Sequence, residues 1–211
     1  MQAVQLGIFI LYLIVSLLAA IQYHKYKATP LVWVLPVFVL TLLTEVVGYG
    51  LLGSGYTTAI HFNLRAFLHF SMLLIVYGRI LNTVSTITFF PYNIIVFVIA
   101  TIASFIIEDV HTGMQILYFT GAGLLLAHIA FYLIHLLKSD KILRLHRILL
   151  LYISLGYLLF YIGYLPIRIS RIYLIQEANY MAIYWYQLGL IFVSNILFIT
   201  GFLCFNRKHL Y

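Results

Sequence analysis

Glu45 and Arg65 are the residues in this chain best placed to do chemistry. Each sits inside an otherwise apolar stretch, and a charge at membrane depth costs roughly 2.5–3.5 kcal/mol even on lenient insertion scales, so it persists when it is paired or useful. At about 1.5 Å per residue both lie roughly 12 Å below the same surface, on neighbouring segments joined by Gly53-Ser54-Gly55, and the spacing predicts an ion pair. His61, Arg65 and His69 recur every four residues and share one helix face. Thr41, Glu45, Gly48 and Tyr49 mark the facing stretch; Tyr157, Tyr161, Tyr164 and Arg168 form a later stripe, and Tyr180, Tyr184, Gln187 and Asn195 another. Lipid cannot satisfy such groups, so they are expected to point inward. The candidate ligand-binding set is therefore Glu45, Arg65, His61, His69, Tyr49, Tyr161, Tyr164, Gln187 and Asn195. The bland alternative is a Glu–Arg lock between two helices, since polar contacts between membrane helices average only about 0.6 kcal/mol.

Other chemistries fare less well. No cofactor is expected. Haem b held by His69 and His128 is the one alternative, because by helical rise the two lie roughly 18 and 21 Å below the outer surface. No metal-ligand spacing, nucleophile motif, phosphate loop or CxxC pair occurs. Retinal chemistry needs a lysine in the middle of the last segment, and the nearest is the terminal Lys208.

The elements that must position these residues are helices. The chain has 211 residues, 64% apolar and 8% charged, with a mean hydropathy of +1.08, against about a quarter charged in soluble domains. Seven apolar segments, near 4–23, 30–53, 57–82, 86–107, 114–138, 146–168 and 180–205, each approach the roughly 20 residues a bilayer core requires. The long continuous runs argue against a transmembrane barrel, which alternates. The expectation is an all-α polytopic protein, one seven-helix transmembrane domain over 1–211. No Lys or Arg precedes the first segment, which is expected to be retained. Pro36 and Pro166 are possible kinks or helix ends.

The net charge of +7 does not point to nucleic acid. Lys25, Lys27, Arg79, Lys138, Lys141, Arg144, Arg147, Arg207 and Lys208 all fall on one side of a seven-helix serpentine. Positive loops stay cytoplasmic, which places the N-terminus outside and the C-terminus inside and suits anionic lipids. The outer side carries Glu108, Asp109, Arg168, Arg171 and Glu177, and its Ser170–Asn179 connection reads as a partly helical loop. Tyrosines near segment ends, Tyr23 and Tyr26 among them, read partly as an aromatic belt. The lone Cys204 reads as inert packing. Val47-Gly48-Tyr49 and Ile162-Gly163-Tyr164 echo one another over too few residues to establish a repeat.

The chain resembles a group of uncharacterised small seven-helix integral membrane proteins of Bacteroidota. The resemblance rests on Leu43-Thr44-Glu45-Val46-Val47-Gly48, Asn63, Lys138-Ser139-Asp140-Lys141-Ile142-Leu143, Tyr152-Ile153-Ser154-Leu155-Gly156 and Leu159–Pro166. It implies a bacterial inner-membrane setting and some importance for Glu45, and it brings no activity. The expected function is a non-enzymatic sensor or ligand-binding module. Its outward-facing pocket would take a small polar or amphipathic ligand, and Lys138–Arg147 would face a cytoplasmic or membrane signalling partner. The alternatives, in order, are a small-solute or proton-coupled transporter with Glu45 carrying the proton, an accessory subunit of a membrane complex, and a lipid-modifying enzyme.

Overall fold

A computed structural model of the chain describes residues 2–51, 59–84, 90–139, 147–173 and 180–205, all helices and short connections. The helices are α1 (Gln2–Ile21), the short α2 (Tyr23–Tyr26), a 3-10 turn (Pro30–Trp33), α3 (Val34–Leu51), α4 (Ala59–Val84), α5 (Phe90–Ile107), α6 (Gln115–Leu137), α7 (Leu149–Tyr173) and α8 (Tyr180–Cys204). Among the described residues, five stretches are long and apolar enough to cross a membrane: Pro30–Gly48, Ala59–Asn82, Gln115–Leu137, Leu149–Ser170 and Met181–Cys204. In the first and fourth segments the described apolar parts are Leu6–Ile21 and Pro91–Ile107. The chain is thus a helical protein with the makings of a multi-pass membrane protein. It falls into two compact units, Ala19–Ile142 and Met1–Leu18 with Leu143–Tyr211.

The Ala19–Ile142 unit starts at a corner absent from the sequence reading. Thr29 Oγ1 donates to the Tyr26 carbonyl at 2.7 Å and accepts from the Leu31 N–H at 3.3 Å, closing α2 and opening the 3-10 turn, with Pro30 where no N–H is needed. Tyr26 is fully buried and its hydroxyl donates to the Ala19 carbonyl at 2.6 Å, so it is a packing residue here and not part of an interfacial belt. Burial pushes its phenol above the ordinary value, with Tyr23 adding to the rise. Pro36 sits in the first turn of α3, where its missing donor breaks no helical bond; it begins the helix and does not kink it.

Side-chain contacts set the directions of these helices. Gly48 meets His61 and Phe62, and Glu45 meets Arg65, so α3 and α4 run antiparallel. Asn63 reaches the backbone of Thr112 and Met114, Phe70 packs on Tyr118 and Gly121, and Tyr77 on Tyr132, so α4 and α6 run parallel. The Asn93–His128 contact and the return at Glu108–Gln115 make α5 antiparallel to α6. The core is aromatic: Phe67 stacks on Phe97 with ring centres 6.0 Å apart, and Phe70 meets Phe97 and Tyr118 edge-on at 6.4 and 5.5 Å. Gly121 allows this, because a Cβ there would lie 2.5 Å from the Phe70 ring.

The other unit is organised by an α7–α8 antiparallel hairpin. Gly163 faces Leu190 and Tyr186, Gly156 faces Phe198, and Gly201 faces Tyr152 and Leu149. Glycine at these positions lets two membrane helices approach closely enough for dispersion contacts, which replace the hydrophobic drive that lipid does not supply. Pro166 lies inside α7, which continues through Tyr173, so Ser170–Tyr173 are helical as expected of a partly helical connection. Cys204 is exposed, contrary to its reading as packing: Gly201, Phe202 and Phe205 occupy the packed positions of that last turn and leave Cys204 on the open side. The Gly53-Ser54-Gly55 turn, Asp140–His146, Ile175, Glu177, Arg207 and Lys208 lie outside the described residues.

Candidate functional site

Arg65 and Glu45 meet. Arg65 Nη1 donates to Glu45 Oε1 at 3.0 Å, the pairing expected from their matched depths. Each is six residues from the loop-side end of its described helix, α3 ending at Leu51 and α4 starting at Ala59. The helical rise then puts the pair roughly 9 Å from those described ends, at one level on the two helices. The pair is not sealed: the Arg65 side chain is 23% exposed and that of Glu45 37%. Glu45 stands at the margin of α3, between the buried Thr44 and Gly48 and the exposed Val46 and Val47. On α4, Phe62 and Leu64 are likewise exposed. An ion pair bordered by apolar side chains is the result.

His61 adds to it from one helical turn away on α4. Its ring lies over Gly48, whose added Cβ would come within 3.2 Å of Nε2, and against Phe62 at a ring-centre distance of 4.2 Å. Both ring nitrogens are shielded and neither has a hydrogen-bond partner among the described residues. A neutral imidazole carries one donor and one acceptor, and here both lie covered. His69, two turns further along the face from His61, is buried and makes an edge contact with Phe70 at 5.7 Å.

His128 is fully engaged. Its Nδ1 lies 2.7 Å from the Leu124 carbonyl and its Nε2 3.2 Å from Asn93 Nδ2. With Nδ1–H donating to the carbonyl, Nε2 accepts from the Asn93 amide. Axial ligation of haem by His128 would require breaking that amide contact. Among the described residues, no three or more His, Cys, Asp or Glu side chains gather to hold a metal ion.

The Tyr49 side chain lies outside the described residues. Tyr161, Tyr164, Gln187 and Asn195 belong to the other unit. There Tyr161 is buried and stacked on Tyr157 at 6.1 Å, and Tyr164 stacks on Phe160 at 5.3 Å. Asn195 is buried, its amide donating to the Ile191 carbonyl at 2.8 Å.

Sequence reasoning missed a second polar constellation, at the α5–α6 return. Glu108 accepts from the backbone N–H groups of Gln115 at 2.8 Å and Ile116 at 3.1 Å, and from the Ser104 hydroxyl. A carboxylate over the first N–H groups of α6 satisfies donors that no helix can satisfy internally and complements its dipole. Asn63 of α4 completes the return: Nδ2 donates to the carbonyls of Val110 at 3.0 Å and Thr112 at 2.8 Å, and Oδ1 accepts from Met114 N–H at 3.1 Å. The available signal was the lone amide of Asn63 at membrane depth and the placement of Glu108 just ahead of a helix start. Compared with known proteins, the chain matches no family model, no curated protein and no solved structure.

Proposed function

We propose that this chain is a non-enzymatic ligand-binding module of a bacterial inner membrane, acting as a sensor, whose site is the Glu45–Arg65 pair with His61. It crosses the membrane seven times with its N-terminus outside, so that the site opens in the outer half of the α3–α4 hairpin. The observation that carries the reading is the 3.0 Å ion pair set six residues inside two apolar helices with both side chains still reachable. Ionisable groups at membrane depth are functional candidates by default. His61, one turn away and without a hydrogen-bond partner among the described residues, supports a place for a further group.

The topology is supported by nine Lys and Arg residues that a seven-pass serpentine collects on one side. It also fits the helix directions within each unit, antiparallel for α3–α4, α5–α6 and α7–α8 and parallel for α4–α6. At full length α1 and α5 have 20 and 18 residues, within the range that spans a bilayer. The basic Lys138–Arg147 stretch then faces the cytoplasm, where a separate partner would receive the signal. The test is native mass spectrometry of the gently extracted protein beside Glu45→Gln and, as control, Gly123→Ala. A small molecule retained by the wild type and the control but lost from Glu45→Gln supports the site. An empty wild type with a Glu45→Gln protein that is only less stable reduces the pair to a lock between helices.

A further inference from the structure

We propose that the Ala19–Ile142 unit holds one anionic phospholipid at the end opposite the Glu45–Arg65 pair, with its phosphodiester on Arg79 and Lys27. This lipid is a second ligand, separate from any molecule taken by Glu45 and Arg65. Helix direction places the charges. α3 runs antiparallel to α4, α4 parallel to α6 and α5 antiparallel to α6, so Lys25, Lys27, Arg79 and Lys138 gather at one end. Glu45, Glu108 and Asp109 lie toward the other, and among the described residues no carboxylate stands at the basic end. Lys27, Arg79 and Lys138 are exposed. A zwitterionic headgroup finds no described carboxylate there for its ammonium. A phosphodiester without an ammonium meets cations alone.

Arg79 stands out from a packed turn: Val76, Tyr77, Gly78 and Ile80 are all buried, and Arg79 is exposed. It lies about five helical turns beyond His61, hence on the α4 face that meets α3. Carried back along α3, the register that sets Glu45 on Arg65 and Gly48 on His61 reaches the 3-10 turn at that level. That turn packs on α4. Lys27 leads into it from a fixed backbone. Tyr26 beside it is fully buried with its hydroxyl on the Ala19 carbonyl, and Thr29 Oγ1 donates to the Tyr26 carbonyl at 2.7 Å. Arg79 is three residues inside the end of the apolar stretch Ala59–Asn82, where a guanidinium on its long stem reaches headgroup level. Its planar fork suits two oxygens of one phosphate. Away from the basic end the same face continues as Ile75 and Leu68, half-buried, and Leu64, 57% exposed, an apolar track for an acyl chain. That track favours a lipid over a soluble acidic peptide. Lys138 stands apart, because α6 meets α4 through Asn63, Phe70 and Tyr77, on the side roughly opposite Arg79.

The experiment uses the full chain in an uncharged maltoside detergent. Phosphatidylglycerol and phosphatidylethanolamine with matched acyl chains are titrated against it by native mass spectrometry. We expect one phosphatidylglycerol retained per chain, held at least about tenfold more tightly than phosphatidylethanolamine. Arg79→Gln and Lys27→Gln should each weaken phosphatidylglycerol roughly fivefold. Lys138→Gln, which removes the same charge from the same end, should change it less than about twofold. Arg79→Lys keeps the charge and loses the fork, so it should fall between Arg79→Gln and the wild type. The three side chains are exposed, and unchanged unfolding midpoints verify that each variant folds. Equal losses in all three glutamine variants reduce the surface to diffuse attraction and overturn the site. Equal retention of the two lipids, or no retained lipid, overturns it as well. A short polyglutamate peptide that is lost with Arg79 and Lys27, where phosphatidylglycerol is not, assigns the surface to a protein partner instead.

Discussion

Replacing Asn63 by alanine should loosen the α5–α6 return, by an amount that follows from three hydrogen bonds. The amide donates to the carbonyls of Val110 and Thr112, and its oxygen accepts from the Met114 N–H. Val110 is half-buried and Thr112 exposed, so water can recover those carbonyls, and each lost bond costs about 0.5–1 kcal/mol. Met114 is 1% exposed, so its N–H has no such recourse and is left unsatisfied at about 1–3 kcal/mol. The whole change is then about 2–5 kcal/mol, or a fall of roughly 4–20 °C in unfolding midpoint for a chain of this size. Asn63→Asp keeps an oxygen for Met114 and loses the two donors, so it should fall between wild type and alanine. Thermal unfolding in detergent by intrinsic fluorescence gives the midpoints, and hydrogen exchange over 108–116 reports the Met114 amide directly. An Asn63→Ala protein with an unchanged midpoint and a Met114 amide still protected would refute the assignment of this clasp.

Four further outcomes are expected. A double-mutant cycle on Glu45→Gln and Arg65→Met should show each single change destabilising by about 1–2 kcal/mol, reduced from the full insertion cost by the partial exposure of both groups, and coupling of about 1 kcal/mol; additive effects would deny the contact. Gly121→Ala should cost about 1–3 kcal/mol, because its Cβ meets the buried Phe70 ring, while Gly123→Ala on the same helix, with nothing within 4 Å, should be neutral or stabilising. Equal midpoints for these two variants would contradict the α4–α6 packing. Glu108→Gln should weaken the start of α6 by about 1 kcal/mol, seen as faster exchange at Gln115 and Ile116, and unaltered exchange there would count against the cap. Cys204, the single cysteine and exposed, should react with an impermeant maleimide in inside-out vesicles and not in intact spheroplasts; the reverse pattern would invert the proposed topology.

Helical class and the Glu45–Arg65 contact were legible in the sequence because both follow from one-dimensional quantities. Continuous apolar runs leave a membrane helix as the structure that satisfies its own backbone. Two charges equally far from a short turn come to the same level whatever the surroundings, and four-residue spacing puts His61 and Arg65 on one face. What sequence alone could not supply was which side chains reach across helices that are distant in the chain. The binding face drawn from tyrosine stripes divides between two compact units, since periodicity says which residues share a face and nothing about what that face meets. Tyr26 looked interfacial by position, but the break at Gln22 between α1 and α2 lets its hydroxyl reach back to the Ala19 carbonyl. Asn63 bonds to groups 47 to 51 residues away, and Glu108 caps a helix that begins seven residues later; tertiary packing alone brings these partners within hydrogen-bonding distance.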